Sequence, residues 1–142
     1  MIYLDTSVMV SYVNKRDPLH ERSVEAIEGV RGTRVASRLT AVELASVFSR
    51  VTGAAGEELE ALVEYTLRRC GVDVVEVDWG DVFSLALEEA GDLRLKALDL
   101  LHVAAASRAG AEAFLTFDGD ILSKRETVER HLGLRVLGGA EA

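Results

Sequence analysis

The chain has 142 residues, of which 49% are hydrophobic, and its 24 acidic and 16 basic side chains give a formal net charge of −8. This length predicts one domain over residues 1–142, and the apolar content suffices for a buried core, which excludes a disordered chain. The single cysteine, Cys70, excludes a disulfide framework and a cysteine-ligated zinc site. No membrane-length apolar run and no signal-peptide pattern occurs, so we expect a cytoplasmic protein without membrane contact.

The net charge by itself argues against binding to nucleic acid, because phosphate contacts need a basic surface. That argument weakens if several of the acids surround a cation. A bound metal ion reverses the local sign of a carboxylate cluster and can contact phosphate itself.

Short strands and helices alternate along the chain. An apolar run at 2–4 ends at Asp5 and leads into a first helix, and Asp17-Pro18 is typical of the N-cap and first position of a second helix with an apolar face at 19–30. Further strands are predicted at 34–37, 72–77, 113–117 and 134–137. Further helices are predicted at 39–51, 59–70, 82–90 (ended by Gly91) and 97–109 (stopped by Gly110). This order predicts an α/β fold with a mainly parallel central sheet of four to five short strands, whose reactive groups collect at the carboxyl ends of the strands.

Four acids follow or begin these segments, and each has a structural explanation of its own. Asp5 could cap a helix, and Glu43 could close a capping box with Thr40. Asp99 lies in the first helical turn, where the helix dipole favours an anion, and Asp118 begins a turn. Taken singly, each acid is better explained as a capping or turn residue.

The four acids together indicate a metal site. Three of them lie at or just beyond strand ends, which in a parallel sheet point to one edge, and the fourth opens the most apolar helix. Clustered carboxylates repel by roughly 3 kcal/mol per pair at ~5 Å and an effective dielectric near 20. No lysine or arginine stands beside them on the same apolar segments. The all-oxygen set predicts one or two Mg²⁺ or Mn²⁺ ions and phosphoryl chemistry.

Other polar side chains near these acids have supporting interpretations. Thr6, Ser7 and Thr116 supply hydroxyls that could hold a water molecule or a carboxylate in place. His102, one turn after Asp99, could be a base or a second ligand. Its position inside an apolar helix favours a buried, hydrogen-bonded histidine instead.

The segments LDTS, TAVELA, ALDLLHVAAA and FLTFDGDI, in this order, resemble a PIN domain over residues 1 to about 125. More specifically, the chain is similar to the compact VapC-type ribonuclease toxins of toxin–antitoxin modules. The resemblance implies a three-layer α/β/α sandwich and metal-dependent cleavage of RNA by a homodimer that a cognate antitoxin inhibits. It places the acidic quartet at Asp5, Glu43, Asp99 and Asp118, with Thr116 as the supporting hydroxyl. Asp120 is a possible extra acid, and the glycine between the two acids of FDGD leaves open whether Asp118 or Asp120 reaches the metal.

Basic residues near the motif segments are weak candidates for a rim that binds RNA phosphates: Lys15, Arg38, Lys96 and Lys124. For any one of them, ordinary solvated charge is the better explanation. The alternative to a nuclease is a catalytically inactive PIN-like binding module that acts through protein partners. The helices at 42–51 and 59–70 carry more apolar residues than one sheet face needs, which predicts a symmetric dimer.

Overall fold

The computed structural model describes residues 1–139, which form an α/β fold. The strands are Ile2–Leu4 (β1), Arg34–Ala36 (β2), Val72–Val74 (β3), Ala113–Leu115 (β4) and Arg135–Leu137 (β5). The helices are Thr6–Val13 (α1), His20–Glu28 (α2), Arg38–Thr52 (α3), Gly56–Arg69 (α4), Trp79–Leu93 (α5), Ala97–Arg108 (α6), Gly119–Leu122 (α7) and Arg125–Leu132 (α8). None of these helices is long and apolar enough to cross a membrane.

The sheet has five parallel strands in the order β3-β2-β1-β4-β5, which confirms the predicted fold class. Strand β1 is central, and its Leu4 is paired with Leu115 of β4. The amide of Asp5 donates to the carbonyl of Leu115 over 2.9 Å, so the residues that follow β1 and β4 remain side by side. The chain order reverses between these two strands, which is where open α/β sheets form a crevice.

Helices cover both faces of the sheet in three layers, as the resemblance implied. One core joins Leu4 of β1 to residues of α1–α4, and the other joins Tyr3 to residues of α5, α6 and α8. The alternation of strand side chains between the two faces explains this division. Because both faces are covered, β1 and β4 are buried along their whole length. Cys70 belongs to the first core, where burial raises the pKa of its thiol to about 12, as expected of a core residue rather than a nucleophile.

Asp17 and Gly91 do not mark the helix boundaries that were predicted for them. Asp17 does not cap α2, which begins at His20; its carboxylate instead accepts from the amide of Leu19 over 2.8 Å, in a turn that precedes the helix. Gly91 does not end α5, which continues to Leu93 and is closed by Arg94 in a left-handed conformation (φ 53°). The fully buried side chain of Leu93 accounts for the extra turn, because its packing outweighs the ~1 kcal/mol cost of an interior glycine.

Candidate metal centre

A cavity of about 360 Å³ opens at the carboxyl edge of the sheet, and all four predicted acids line it. Asp5 follows β1 and Asp118 follows β4, while Glu43 and Asp99 come from the helices α3 and α6. The remaining lining residues are Thr6, Ser7, Val10, Ser11, Asp17 and Val47. Residues far apart in sequence therefore present four carboxyl groups to one space.

Asp5 is the most enclosed of the four acids, with only 5% of its surface exposed. Its Oδ1 accepts from the amide of Thr6 (2.9 Å), and its Oδ2 accepts from the hydroxyls of Thr116 (2.7 Å) and Ser7 (3.2 Å). Asp5 is thus both the N-cap of α1 and a wall of the cavity. Burial raises the pKa of its carboxyl group, although the Thr116 hydrogen bond acts in the opposite direction.

Asp118 and Asp120 occupy different environments. Asp118 lines the cavity, its amide donates to Thr116 Oγ1 (2.9 Å), and its Oδ1 accepts from the amide of Asp120 (2.8 Å). Asp120 is exposed and is not among the lining residues. The geometry therefore favours Asp118 of the two acids that the sequence left open.

Asp99 has the clearest electrostatic signature of the group. Its pKa is raised to about 6, first by burial and then by the negative charges of Asp118 and Asp5. A carboxyl group resists ionisation in this way when other carboxylates surround it without enough positive charge. Among the described ion pairs, none joins a lysine or arginine to any of the four acids.

Glu43 does not belong to a capping box, which corrects the structural explanation given for it above. Helix α3 begins earlier than predicted, with Ser37 as its N-cap, and the amide of Ser37 donates to Thr40 Oγ1 over 3.4 Å. Glu43 lies in the second turn, where its Oε1 meets Nε2 of His102 at 2.9 Å.

The pKa of Glu43 is lowered overall. Burial acts to raise it, but the hydrogen bond from His102 favours the ionised carboxylate more strongly. The Thr6 hydroxyl lies near enough to Glu43 to act in the same direction, yet the contact lacks hydrogen-bond geometry. Glu43 thus differs from Asp5 and Asp99, whose pKa values are raised.

His102 is fully buried, which confirms its interpretation as a hydrogen-bonded core histidine. Its Nδ1 lies 2.8 Å from the hydroxyl of Tyr3, which also contacts Ser37 Oγ at 2.7 Å.

Asp17 lines the cavity, and the sequence analysis did not identify it as a site residue. The Asp17-Pro18 pair indicated a helix cap, and nothing else in the sequence pointed to a role in the cavity.

The residues of the cavity fit a hard divalent cation. Thr6 Oγ1 is buried and, within residues 1–139, is the only buried side-chain oxygen or nitrogen without a hydrogen-bond partner. Around it stand oxygen donors of the kind that Mg²⁺ and Mn²⁺ prefer, with mutual repulsion that a cation would relieve. One carboxylate oxygen of Asp5, one of Glu43 and one ring nitrogen of His102 also lie within 4.8 Å of one another.

The predicted rim residues lie outside the cavity. Lys15, Arg38 and Lys96 are exposed and Lys124 is half-buried, and none of them forms part of its wall. Arg38 lines a separate apolar cavity together with Trp79. Their proposed contact with RNA stays a prediction.

The family model described as the PIN domain matches residues 2–126. The chain belongs to the PIN domain family. Among curated protein sequences, none is significantly similar to it.

Several solved structures share the fold over most of their length. VapC20 of Mycobacterium tuberculosis, described as a toxin that cleaves the sarcin–ricin loop, is 21% identical with a TM-score of 0.69 and covers 87% of this chain and 94% of its own. VapBC2 of Rickettsia felis, bound to promoter DNA, is 19% identical with a TM-score of 0.66, and the match covers 96% of this chain and 98% of its own. FitAcB of Neisseria gonorrhoeae is 16% identical with a TM-score of 0.63, and the match covers 100% of this chain and 100% of its own. At these identities the likeness establishes the fold.

Proposed function

We propose that this PIN-domain protein is the toxin of a toxin–antitoxin pair, acting in the cytoplasm as an endoribonuclease that depends on Mg²⁺ or Mn²⁺. The observation that carries the proposal is the convergence of Asp5, Glu43, Asp99 and Asp118 on one cavity, where no lysine or arginine of residues 1–139 forms an ion pair with them. The names of two structural relatives, a toxin that cleaves the sarcin–ricin loop and a toxin–antitoxin complex from Klebsiella pneumoniae, support RNA as substrate and an antitoxin as partner.

In the proposed mechanism, the four acids would hold one or two cations. A cation bound there would lower the pKa of a water molecule and stabilise the charge that develops on the phosphate. The protein's own task is to hold the carboxylates in a fixed arrangement. Thr116, Ser7 and the Thr6 amide orient Asp5, and the apolar walls Val10 and Val47 lower the local dielectric around the reacting groups.

RNA would approach this site over an acidic surface, so cation binding and substrate binding should be coupled. The basic residues Lys15, Arg38, Lys96 and Lys124 lie outside the cavity and could contact only phosphates beyond the scissile one. With a net charge of −8, the chain binds RNA poorly until the acids are neutralised. We therefore expect little RNA binding in the presence of EDTA.

The proposed biological unit is a homodimer. Phe83 and Leu87 of α5 are 52% and 81% exposed, and two neighbouring apolar cavities share Phe83 and Leu101. A second copy that covers this face would bury several large apolar side chains, each contributing about 1.5–3 kcal/mol. This face is formed by α5, α6 and the beginning of α3, where Leu39 and Val42 line one of the two cavities. It therefore includes α3, one of the two helices to which the sequence drew attention, but not α4.

The deciding experiment is cleavage of a panel of structured RNAs by the purified chain with Mn²⁺, with Mg²⁺ and with EDTA. Asp99→Asn removes a predicted ligand, and Asp73→Asn, an exposed acid within β3, is the matched control. We expect metal-dependent cutting that Asp99→Asn abolishes and Asp73→Asn retains. Equal behaviour of wild type and Asp99→Asn, whether both cut or neither does, counts against the proposal.

A further inference from the structure

His102 links the two helices that bring Glu43 and Asp99 to the cavity. It lies on α6 one turn after Asp99, and its Nε2 reaches across to Glu43 of α3. The side chain is completely buried and is not part of the cavity wall. A buried polar ring in such a place is stable only if both of its nitrogens have partners.

The hydrogen-bond partners fix which nitrogen carries the proton. An ionised Glu43 can only accept, so Nε2 of His102 donates to it. In a neutral ring Nδ1 then has a lone pair and must accept, and the Tyr3 hydroxyl at 2.8 Å is its donor. Tyr3 in turn can accept from the hydroxyl of Ser37 at 2.7 Å. In this series of hydrogen bonds each residue donates to the next one, from Ser37 through Tyr3 and His102 to Glu43.

The side chain of Tyr3, from which His102 accepts, is held firmly in place. It lies on the central strand β1, is fully buried, and stacks on Phe114 with ring centroids 5.4 Å apart. A phenol hydroxyl can donate one hydrogen bond while it accepts another, so Tyr3 can donate to His102 and accept from Ser37 at the same time. The sheet itself therefore sets the orientation of the histidine.

We propose that His102 is a positioning residue that holds Oε1 of Glu43 through its Nε2–H, in the tautomer that Tyr3 stabilises by donating to Nδ1, and so sets the divalent-cation affinity of the acidic cavity. This inference rests on the proposed function, because it takes the cavity as a cation site. His102 itself is not a ligand in this arrangement, since neither ring nitrogen has a lone pair free for a cation. The second Glu43 oxygen remains available.

The consequence is that Tyr3, which does not line the cavity, should influence metal binding. In Tyr3→Phe the ring still fills its place against Phe114, but Nδ1 of His102 loses its donor. The tautomer with the proton on Nδ1 then becomes accessible, and it would turn a lone pair toward the Glu43 carboxylate. Partners of this kind around metal ligands are worth about 10–100-fold in metal affinity.

The test compares Mn²⁺ dissociation constants, measured by calorimetry, for four variants of the full chain. Tyr3→Phe and His102→Leu remove the two steps of the hydrogen-bond chain, and His102→Gln restores an N–H donor toward Glu43. Tyr12→Phe, outside the cavity, is the matched control for loss of a tyrosine hydroxyl. Melting curves in EDTA identify the variants that fold.

We expect affinity to fall about 10-fold or more in Tyr3→Phe and His102→Leu, and to stay within about threefold of wild type in His102→Gln and Tyr12→Phe. Long-range ¹H–¹⁵N spectra of the wild type in EDTA should show the His102 proton on Nε2. A proton on Nδ1, or wild-type affinity in Tyr3→Phe, overturns the inference and leaves the nuclease proposal standing. A folded wild type that binds no Mn²⁺ overturns both. If His102→Leu fails to fold, Tyr3→Phe and the spectra still decide.

Discussion

The Thr116 hydroxyl donates a 2.7 Å hydrogen bond to Oδ2 of Asp5 across the two neighbouring strands β1 and β4. The same oxygen of Thr116 accepts from the amide of Asp118. One buried hydroxyl therefore orients one acid of the cavity and fixes the backbone that carries another. This links the sheet register directly to the geometry of the candidate metal centre.

Thr116→Val should weaken both folding and metal binding. The substitution keeps the shape of the side chain but leaves Oδ2 of Asp5 with only the longer hydrogen bond from Ser7, and it removes the hydrogen-bond partner of the Asp118 amide. Loss of a hydrogen bond to a charged group predicts a free energy of unfolding lower by about 1.5–3 kcal/mol, measured by urea denaturation. The Mn²⁺ affinity should fall in parallel.

The matched control for this change is Thr66→Val in α4. Thr66 is equally buried, but its hydroxyl donates to the carbonyl of Leu62 far from the cavity. We expect a smaller loss of stability, about 1 kcal/mol, and unchanged Mn²⁺ affinity. Equal effects of the two substitutions on Mn²⁺ binding would contradict the role assigned to Thr116.

Asp99→Asn should stabilise the protein in EDTA while it removes the response to metal. Repulsion from Asp118 and Asp5 acts on the ionised Asp99, and an amide escapes it. Since Asp99 is half exposed, we expect a gain of roughly 1 kcal/mol in the free energy of unfolding at neutral pH. Mn²⁺ should raise the melting temperature of wild type and not of the variant. A variant less stable than wild type in EDTA would show that Asp99 makes a net favourable contact.

The stability of the metal-free protein should depend on the protonation of Asp99. Its pKa of about 6 in the folded protein exceeds the ordinary value of 3.8, so the folded chain binds more protons than the unfolded chain between these values. Its contribution to the free energy of unfolding must therefore fall as pH rises from about 4 to about 6. Asp5, whose pKa is also raised, acts in the same direction, and Glu43, whose pKa is lowered, opposes it.

The contribution of Asp99 can be isolated by urea denaturation of wild type and Asp99→Asn in EDTA across this pH range. The advantage of the variant should be absent near pH 4, grow as Asp99 ionises, and level off above about pH 7. A difference that does not change with pH would mean that the carboxyl group titrates normally.

Much of the site could be predicted because parallel strands deliver their carboxyl ends to one edge. That rule alone brings Asp5 and Asp118 together, and the apolar helix after Asp99 had to pack against the same sheet. Glu43 lines the cavity in a way that the sequence did not indicate, because α3 begins at Arg38 and the carboxylate contacts His102 instead of closing a capping box.

What the sequence could not supply were contacts that depend on three-dimensional packing. Tyr3 and His102 are 99 residues apart, and no local pattern indicates that they share a hydrogen bond. Asp17 reaches the cavity through a turn whose residues equally suit a helix start. The extension of α5 past Gly91 likewise depends on the burial of Leu93.

Dimer formation through the face of α5 predicts that Leu87→Glu gives a monomer. Leu87 is the most exposed large apolar residue described, and a charge there would be buried without a partner in a dimer. Val51→Glu, on an almost equally exposed position of α3, is the control that tests the face the sequence suggested.

Equilibrium sedimentation at micromolar concentration distinguishes the outcomes. We expect wild type and Val51→Glu to sediment as dimers and Leu87→Glu at the monomer mass of 15.4 kDa. If Val51→Glu dissociates and Leu87→Glu does not, the interface lies on the α3 side instead. A wild-type monomer would mean that Phe83 and Leu87 are covered by a different partner or remain in water. Because neither residue lines the acidic cavity, a monomeric Leu87→Glu that still binds Mn²⁺ would also separate assembly from metal binding.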